Sequence, residues 1–139
     1  MAAIRSDRFT STKQDTIYAD FLTDFTPHPI THDLVRATNE QAVIRSIRNL
    51  VSTNKGDRLY SDTGSSIRSL LFENVNGADA ESLSIRIQET IIQHEPRAKI
   101  LSVIVRPDYD NHLYTATITF MLINKEDPIT TVVNLYRVR

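Results

Sequence analysis

Residues 91–105 read IIQHEPRAKILSVIV, and the period of the chain changes inside them. Upstream, Ala80, Leu83, Ile87, Ile91 and His94 recur at the three- and four-residue offsets of one helix face. Downstream, the spacing becomes that of a strand. Pro96 marks the change, because the residue before a proline avoids the helical region. This predicts a helix over about 79–94, with Asp79 as its N-cap, and a strand over 98–106 with apolar residues on both faces. Glu95, Pro96 and Arg97 lie at the join.

Working towards the C-terminus, PDYDN at 107–111 and NKEDP at 124–128 carry turn residues. Between them HLYTATITFMLI alternates: Tyr114, Ala116, Ile118, Phe120 and Leu122 point one way, and Thr115, Thr117 and Thr119 the other. ITTVVNLYRVR at 129–139 is the last strand. Connections this short imply an antiparallel meander of three strands. A sheet of that size needs a cover, and the 79–94 helix is the natural one.

Working towards the N-terminus, SIRSLLFEN at 66–74 reads as a short helix with Ile67, Leu70 and Leu71 facing inward. TNEQAVIRSIRNLVST at 38–53 is a longer one, with Val43, Ile47, Leu50 and Val51 on one face and Ile44 widening it. Thr38 and Gln41 have the spacing of a capping box, and Gly56 is the expected left-handed terminator. RLYSDTGSS at 58–66 reads as an extended stretch and turn. Pro27 and Pro29 make residues 18–34 extended rather than helical. Residues 1–17 read as a mobile arm, and 18–139 as a single domain. The expected fold class is α+β: N-terminal helices followed by a three-stranded antiparallel β-meander packed on the third helix.

Composition narrows the function. The chain has 139 residues, 16 Lys plus Arg against 17 Asp plus Glu, a formal net charge of -1 and no cysteine. The absent basic surplus argues against nucleic-acid binding, and the absent cysteine excludes disulfide and thiolate chemistry. No apolar run approaches the roughly 20 residues needed to span a bilayer, and the N-terminus lacks the apolar core of a secretory signal. Three glycines and no phosphate-loop pattern leave no cradle for a nucleotide. His28 and His32 are four apart, but the prolines beside them rule out the helix that would align them on a metal. Glu73, Glu89 and Glu95 are carboxylates without a pairing that sequence can define, and no nucleophile elbow occurs. No catalytic residue, metal or cofactor is expected.

Two features point to binding. In a meander the last strand leaves one backbone edge unpaired, open to a strand from another chain unless Arg137 and Arg139 or the N-terminal arm blunt it. In an extended Glu95-Pro96-Arg97, the acid and the base point to the same side. The glutamate can then orient the arginine fork towards a partner's carboxylate or carbonyls; alternatively the arginine caps its own helix.

The order of the pieces carries a resemblance. DFTPHPITHDL, then NEQAVIRSIRNLVSTNKGDRLYSDTGSSIRSLLFEN, then HEPR and a closing LYRVR resemble the baseplate wedge, or sheath-initiator, family of contractile-tailed phages. The TssE component of type VI secretion baseplates is related to that family. The resemblance runs from about Tyr18 to Arg139; the Glu95-Pro96-Arg97 tripeptide is the family's hallmark, and SIRNL at 46–50 and LLFE at 70–73 match other blocks. His32 stands where the family often has glycine, and a proline often found near Ser61 or Asp62 is missing.

The resemblance implies a structural virion protein of the tail baseplate, assembled in the host cytoplasm, and not an enzyme. It implies partner contacts at Glu95, Pro96 and Arg97 with a helical bundle of larger wedge subunits. It further implies strand sharing with the tail sheath protein through Thr131, Val133, Leu135 and Arg137. No nucleic acid, membrane or small-molecule substrate is implied. A secretion-system homologue, a tail-associated cell-wall hydrolase and a stand-alone adaptor are the alternatives.

Overall fold

The structure is a computed structural model that describes residues 16–22, 25–59, 61–72 and 77–136. Two helices lie under one face of a three-stranded antiparallel sheet, and a small two-stranded sheet precedes them. In chain order these are β1 (Ala19–Phe21), β2 (Arg36–Thr38), α1 (Asn39–Ser52), α2 (Gly77–His94), β3 (Ala98–Asp108), β4 (Leu113–Leu122) and β5 (Pro128–Tyr136).

The class is α+β, and the meander order β3-β4-β5 is as expected. The helices are not purely N-terminal, because β1 pairs with β2 antiparallel before α1 begins. Nor is there a third full helix among the described residues. The segment expected to be helical at 66–74 contains a single 3-10 turn at Leu70–Phe72, with Ile67 and Leu71 buried. Three apolar residues anchor a turn, but they are too few to nucleate a helix without help from packing. The expected mobile arm falls outside the described residues up to position 15; Ile17, its last residue, is tied down where its N–H donates to Asn39 Oδ1 at 2.9 Å.

Periodicity decides the core. On β4, Tyr114, Ala116, Ile118, Phe120 and Leu122 are all buried, and the intervening threonines are not. β5 continues the buried face with Thr131, Val133 and Leu135. Beneath them pack Val43, Ile47, Leu50 and Val51 of α1, and Leu83, Ile87 and Ile91 of α2. Each fully buried isoleucine contributes about 1.5–3 kcal/mol. A charge at Ile47 or Ile87, both with no exposed surface, would break the two-layer packing.

α2 lies under β3, where Ser84 Oγ donates to Val103 O at 2.8 Å. α1 runs beside β5. Its first turn meets the β4–β5 turn through the Glu40–Lys125 ion pair, and Arg48 Nε donates to Thr131 Oγ1 at 3.2 Å. That bond satisfies the one polar side chain on the buried face of β5.

The helix ends differ from expectation. Thr38 occupies the N-cap without a side-chain cap bond, so the capping box is not formed. Asn39 takes a positive φ of 46° and turns its side-chain oxygen to the N–H groups of Ile17 and Tyr18. At the other end α1 stops at Ser52, well before Gly56. Its last carbonyls are met by a distant residue: the hydroxyl of buried Ser65 donates to Val51 O at 2.9 Å and to Thr53 O at 3.2 Å. This brings Gly64 against residue 54, where φ is +145° and a Cβ would lie 2.5 Å from Asn54 O. For α2, Asp79 falls in the first turn rather than at the cap, where its charge favours the helix dipole.

Candidate functional site

Pro96 stops α2 at His94 and starts β3 two residues later, leaving Glu95 and Arg97 on the connection. Glu95 N–H still closes the last helical turn, bonding Ile91 O at 2.8 Å, and its carbonyl accepts from Ala98 N at 3.2 Å. Its backbone is therefore fixed on both sides.

Glu95 is 3% exposed, an unusual place for a carboxylate. Arg97 accounts for it: Nε donates to Oε1 at 2.6 Å and Nη2 to Oε2 at 2.7 Å, a two-pronged fork. Ser46 of α1 adds a third donor through its hydroxyl, to Oε2. Burial pulls the carboxyl's pKa up, but the bonds from Arg97 and Ser46 outweigh it and hold it below the ordinary value. The bond to Glu95 likewise raises Arg97 further into its charged form, and Asp20 adds to this.

Arg97 is 31% exposed, so it reaches the surface while its partner does not. One face of the guanidinium is covered by the Tyr18 ring, 5.5 Å away at the centroid. Tyr18 is itself fixed, its hydroxyl accepting from Asn124 Nδ2 at 3.1 Å. Four segments thus converge on one ion pair: residues 17–20, α1, the end of α2 and the β4–β5 turn. Nε and Nη2 form the fork, and Asp20 adds a favourable charge beside the guanidinium.

The other residues singled out in the sequence divide. Arg97 does not cap the helix; its fork is spent on Glu95. Thr131, Val133 and Leu135 are buried, so their side chains face the core, and what they can offer a partner is the β5 backbone. The physical reason is alternation: the residues chosen on β5 are those in register with Ile118, Ala116 and Tyr114 on the core face of β4. Arg137 and Arg139, and the carboxylate of Glu73, lie outside the described residues. Among the described residues β5 is an edge strand of the three-stranded sheet. His28 serves the turn that follows it, its Nδ1 accepting from the N–H groups of Ile30 and Thr31. Sequence reasoning missed Ser46, Tyr18 and Arg48, whose roles depend on partners 49, 79 and 83 residues away.

Comparison with known proteins identifies the family. Residues 37–126 match the model of the family described as baseplate wedge protein gp25, well over half of the chain. The baseplate wedge protein gp25 of Enterobacteria phage T4 is 29% identical over 98 residues, covering 70% of this chain and 74% of the phage protein. Among solved structures, a Geobacter sulfurreducens protein provisionally described as a tail lysozyme has the same fold. Its TM-score is 0.70 at 23% identity, over 76% of this chain and 96% of that one. A chain of the anti-feeding prophage baseplate, solved by cryo-EM, shares the fold with a TM-score of 0.59 at 23% identity, over 88% of this chain and 86% of its own. The matched region contains both helices, the Glu95–Arg97 fork and all of β3 and β4. The chain belongs to the baseplate wedge protein gp25 family.

Proposed function

We propose that this protein is a structural baseplate wedge component of a contractile phage tail. In this reading it binds other wedge subunits, including their helical bundle, at Arg97 and offers β5 to the sheath protein. The observation that carries the reading is the Glu95–Arg97 fork: a buried acid holds a surface arginine in one orientation, inside a chain of this family. Fixing a long side chain in advance removes much of the entropy cost of using it in an interface. The β5 edge, which pairs with no further strand among the described residues, would supply a second contact of a different kind, with backbone bonds giving register. The protein would then act in the virion's tail baseplate, after assembly in the host cytoplasm.

The name of the Geobacter relative raises cell-wall hydrolysis. Glu95 is unsuited to the acid role, because a general acid needs a raised pKa and access to substrate. Here the carboxyl is held low and is covered.

The test is capture of co-expressed wedge subunits by the wild type beside Arg97→Lys. Lysine keeps the charge next to Glu95 but loses the planar fork. Capture by wild type and at least about tenfold weaker capture by the folded variant is the expected result. Equal capture by both would remove Arg97 from the interface.

A further inference from the structure

We infer that the outer face of the β3-β4-β5 sheet is a further docking surface, and that its occupant is an amphipathic helix of a wedge subunit, about four turns long, with an acidic residue near each end. The inference goes beyond the contacts at Arg97 and at the β5 edge and draws on neither; it shares with them only the reading that the partners are wedge subunits.

The register builds the face. Ile104, Thr117 and Val132 stand side by side in one rung, and Ser102, Thr119 and Thr130 in the next. On β4 and β5 these positions alternate with the buried ones, so they point away from α1 and α2. The register shift in β3 enlarges the face. Ile100 and Val103 both pack on the core, which leaves Leu101 and Ser102 together on the outside. Leu101, Ile104 and Val132 are 48%, 49% and 47% exposed, an apolar strip across the middle of the sheet. All three strands are described from end to end.

Size and shape select a helix. Two sheets packed together fill a gap of about 10 Å with long side chains from both faces. Thr117, Thr119, Thr130 and Val132 are short and cannot supply their half. A helix brings its own long side chains down onto a smooth floor. The two outer strands are about 10 Å apart, the diameter of one helix. The floor also tolerates cover, because the hydroxyls of Thr119 and Thr130 hydrogen-bond each other at 3.3 Å.

Charge selects the sequence of that helix. Lys99 and Arg106 are exposed at the two ends of the β3 side, in the rungs of Met121 and Thr115. No acid occupies an outer position in the rungs between them. At the corners, Asp108 accepts from Asn111 in the β3–β4 turn and Asp127 pairs with Lys125. The two bases lie about 20 Å apart along the strand, the length of about four helical turns. An acid near each end of the helix therefore meets one base each. A second copy of this chain is disfavoured, since two such faces would bring two Lys99 and two Arg106 side chains into one interface.

The experiment places a benzophenone photo-crosslinking residue at Val132 of the full chain, co-expressed with the wedge subunits. Position 132 should crosslink to one wedge-subunit helix, in a peptide with apolar residues at helical spacing and Asp or Glu near both ends. Lys99→Glu with Arg106→Glu, both at exposed positions, should lower that crosslink about tenfold with circular dichroism unchanged. Lys99→Arg with Arg106→Lys should keep it. Crosslinks from position 132 to a strand, to a second copy or to residues 1–15 of the same chain would overturn the inference, as would an unchanged yield from the charge-reversed variant. No crosslink while the wedge subunits are captured would also overturn it and leave the wedge reading standing. Failure of the wild type to capture wedge subunits would remove both.

Discussion

Replacing Arg97 by alanine strands a carboxylate inside the protein. Glu95 is 3% exposed and would keep one of its three side-chain donors, the Ser46 hydroxyl. Removing one partner of a fully buried pair costs about 3–5 kcal/mol. Arg97 is 31% exposed, so water can enter where it stood, and the expected cost is nearer 2–3 kcal/mol. For a domain of this size that is a fall in Tm of about 6–10 °C, or a urea midpoint lower by about 1–2 M. Removing both partners, as in Glu95→Leu with Arg97→Leu, should cost less than Arg97→Ala alone, because no charge is left buried. The sign with pH follows from the lowered carboxyl. The pair's stabilisation is fully present above the ordinary value of 4.5 and is lost as pH falls through the lower folded value. The gap between wild type and Arg97→Ala should therefore narrow below about pH 4.5. Urea melts at pH 7 and pH 3.5, followed by circular dichroism, read both effects. A loss under about 0.5 kcal/mol at pH 7, or a gap unchanged by pH, would refute the claim that this pair holds the fold.

The two glycines of the α1–α2 connection should behave oppositely. Gly64→Ala forces a Cβ onto Asn54 O and should cost about 2–4 kcal/mol, whereas Gly56→Ala meets open space and should cost about 1 kcal/mol from its positive φ. Thermal melts of the two variants compare them directly. On the other side of the molecule, amides on the outer edge of β5 should exchange rapidly in the isolated protein. They should gain protection when sheath subunits are added; unchanged exchange alongside proven sheath binding would exclude strand addition through β5.

Much of the fold was legible because it is written in periods. The switch at Pro96, the stripe of Leu83, Ile87 and Ile91, and the alternation from Tyr114 to Leu122 each repeat often enough to define a face. What was hidden lacks repetition. β1 and β2 are three residues each, and β1 is wholly exposed, so no pattern can announce them. Ser65 caps α1 from outside the helix, and its role appears only once the chain has turned back. The site divides on the same principle. The proximity of Glu95 and Arg97 follows from their spacing, but the burial of one and exposure of the other depends on Ser46 and Tyr18. The alternation on β5 was visible; choosing Thr131, Val133 and Leu135 as contacts picked the face that the core takes.

The shift in β3 makes the two edges of the sheet unequal. β3 and β5 are both edges, but they are not equivalent. β3 pairs with β4 through a register shift between Ile100 and Ser102, and Pro107 removes a donor near its far end. An edge so interrupted twists away from a flat incoming strand. β5 pairs with β4 over nine consecutive rungs without a shift, and its single proline is at its first position. Among the described residues the β5 edge is therefore the more regular of the two, and the strand-sharing proposal expects an incoming strand at β5 rather than at β3.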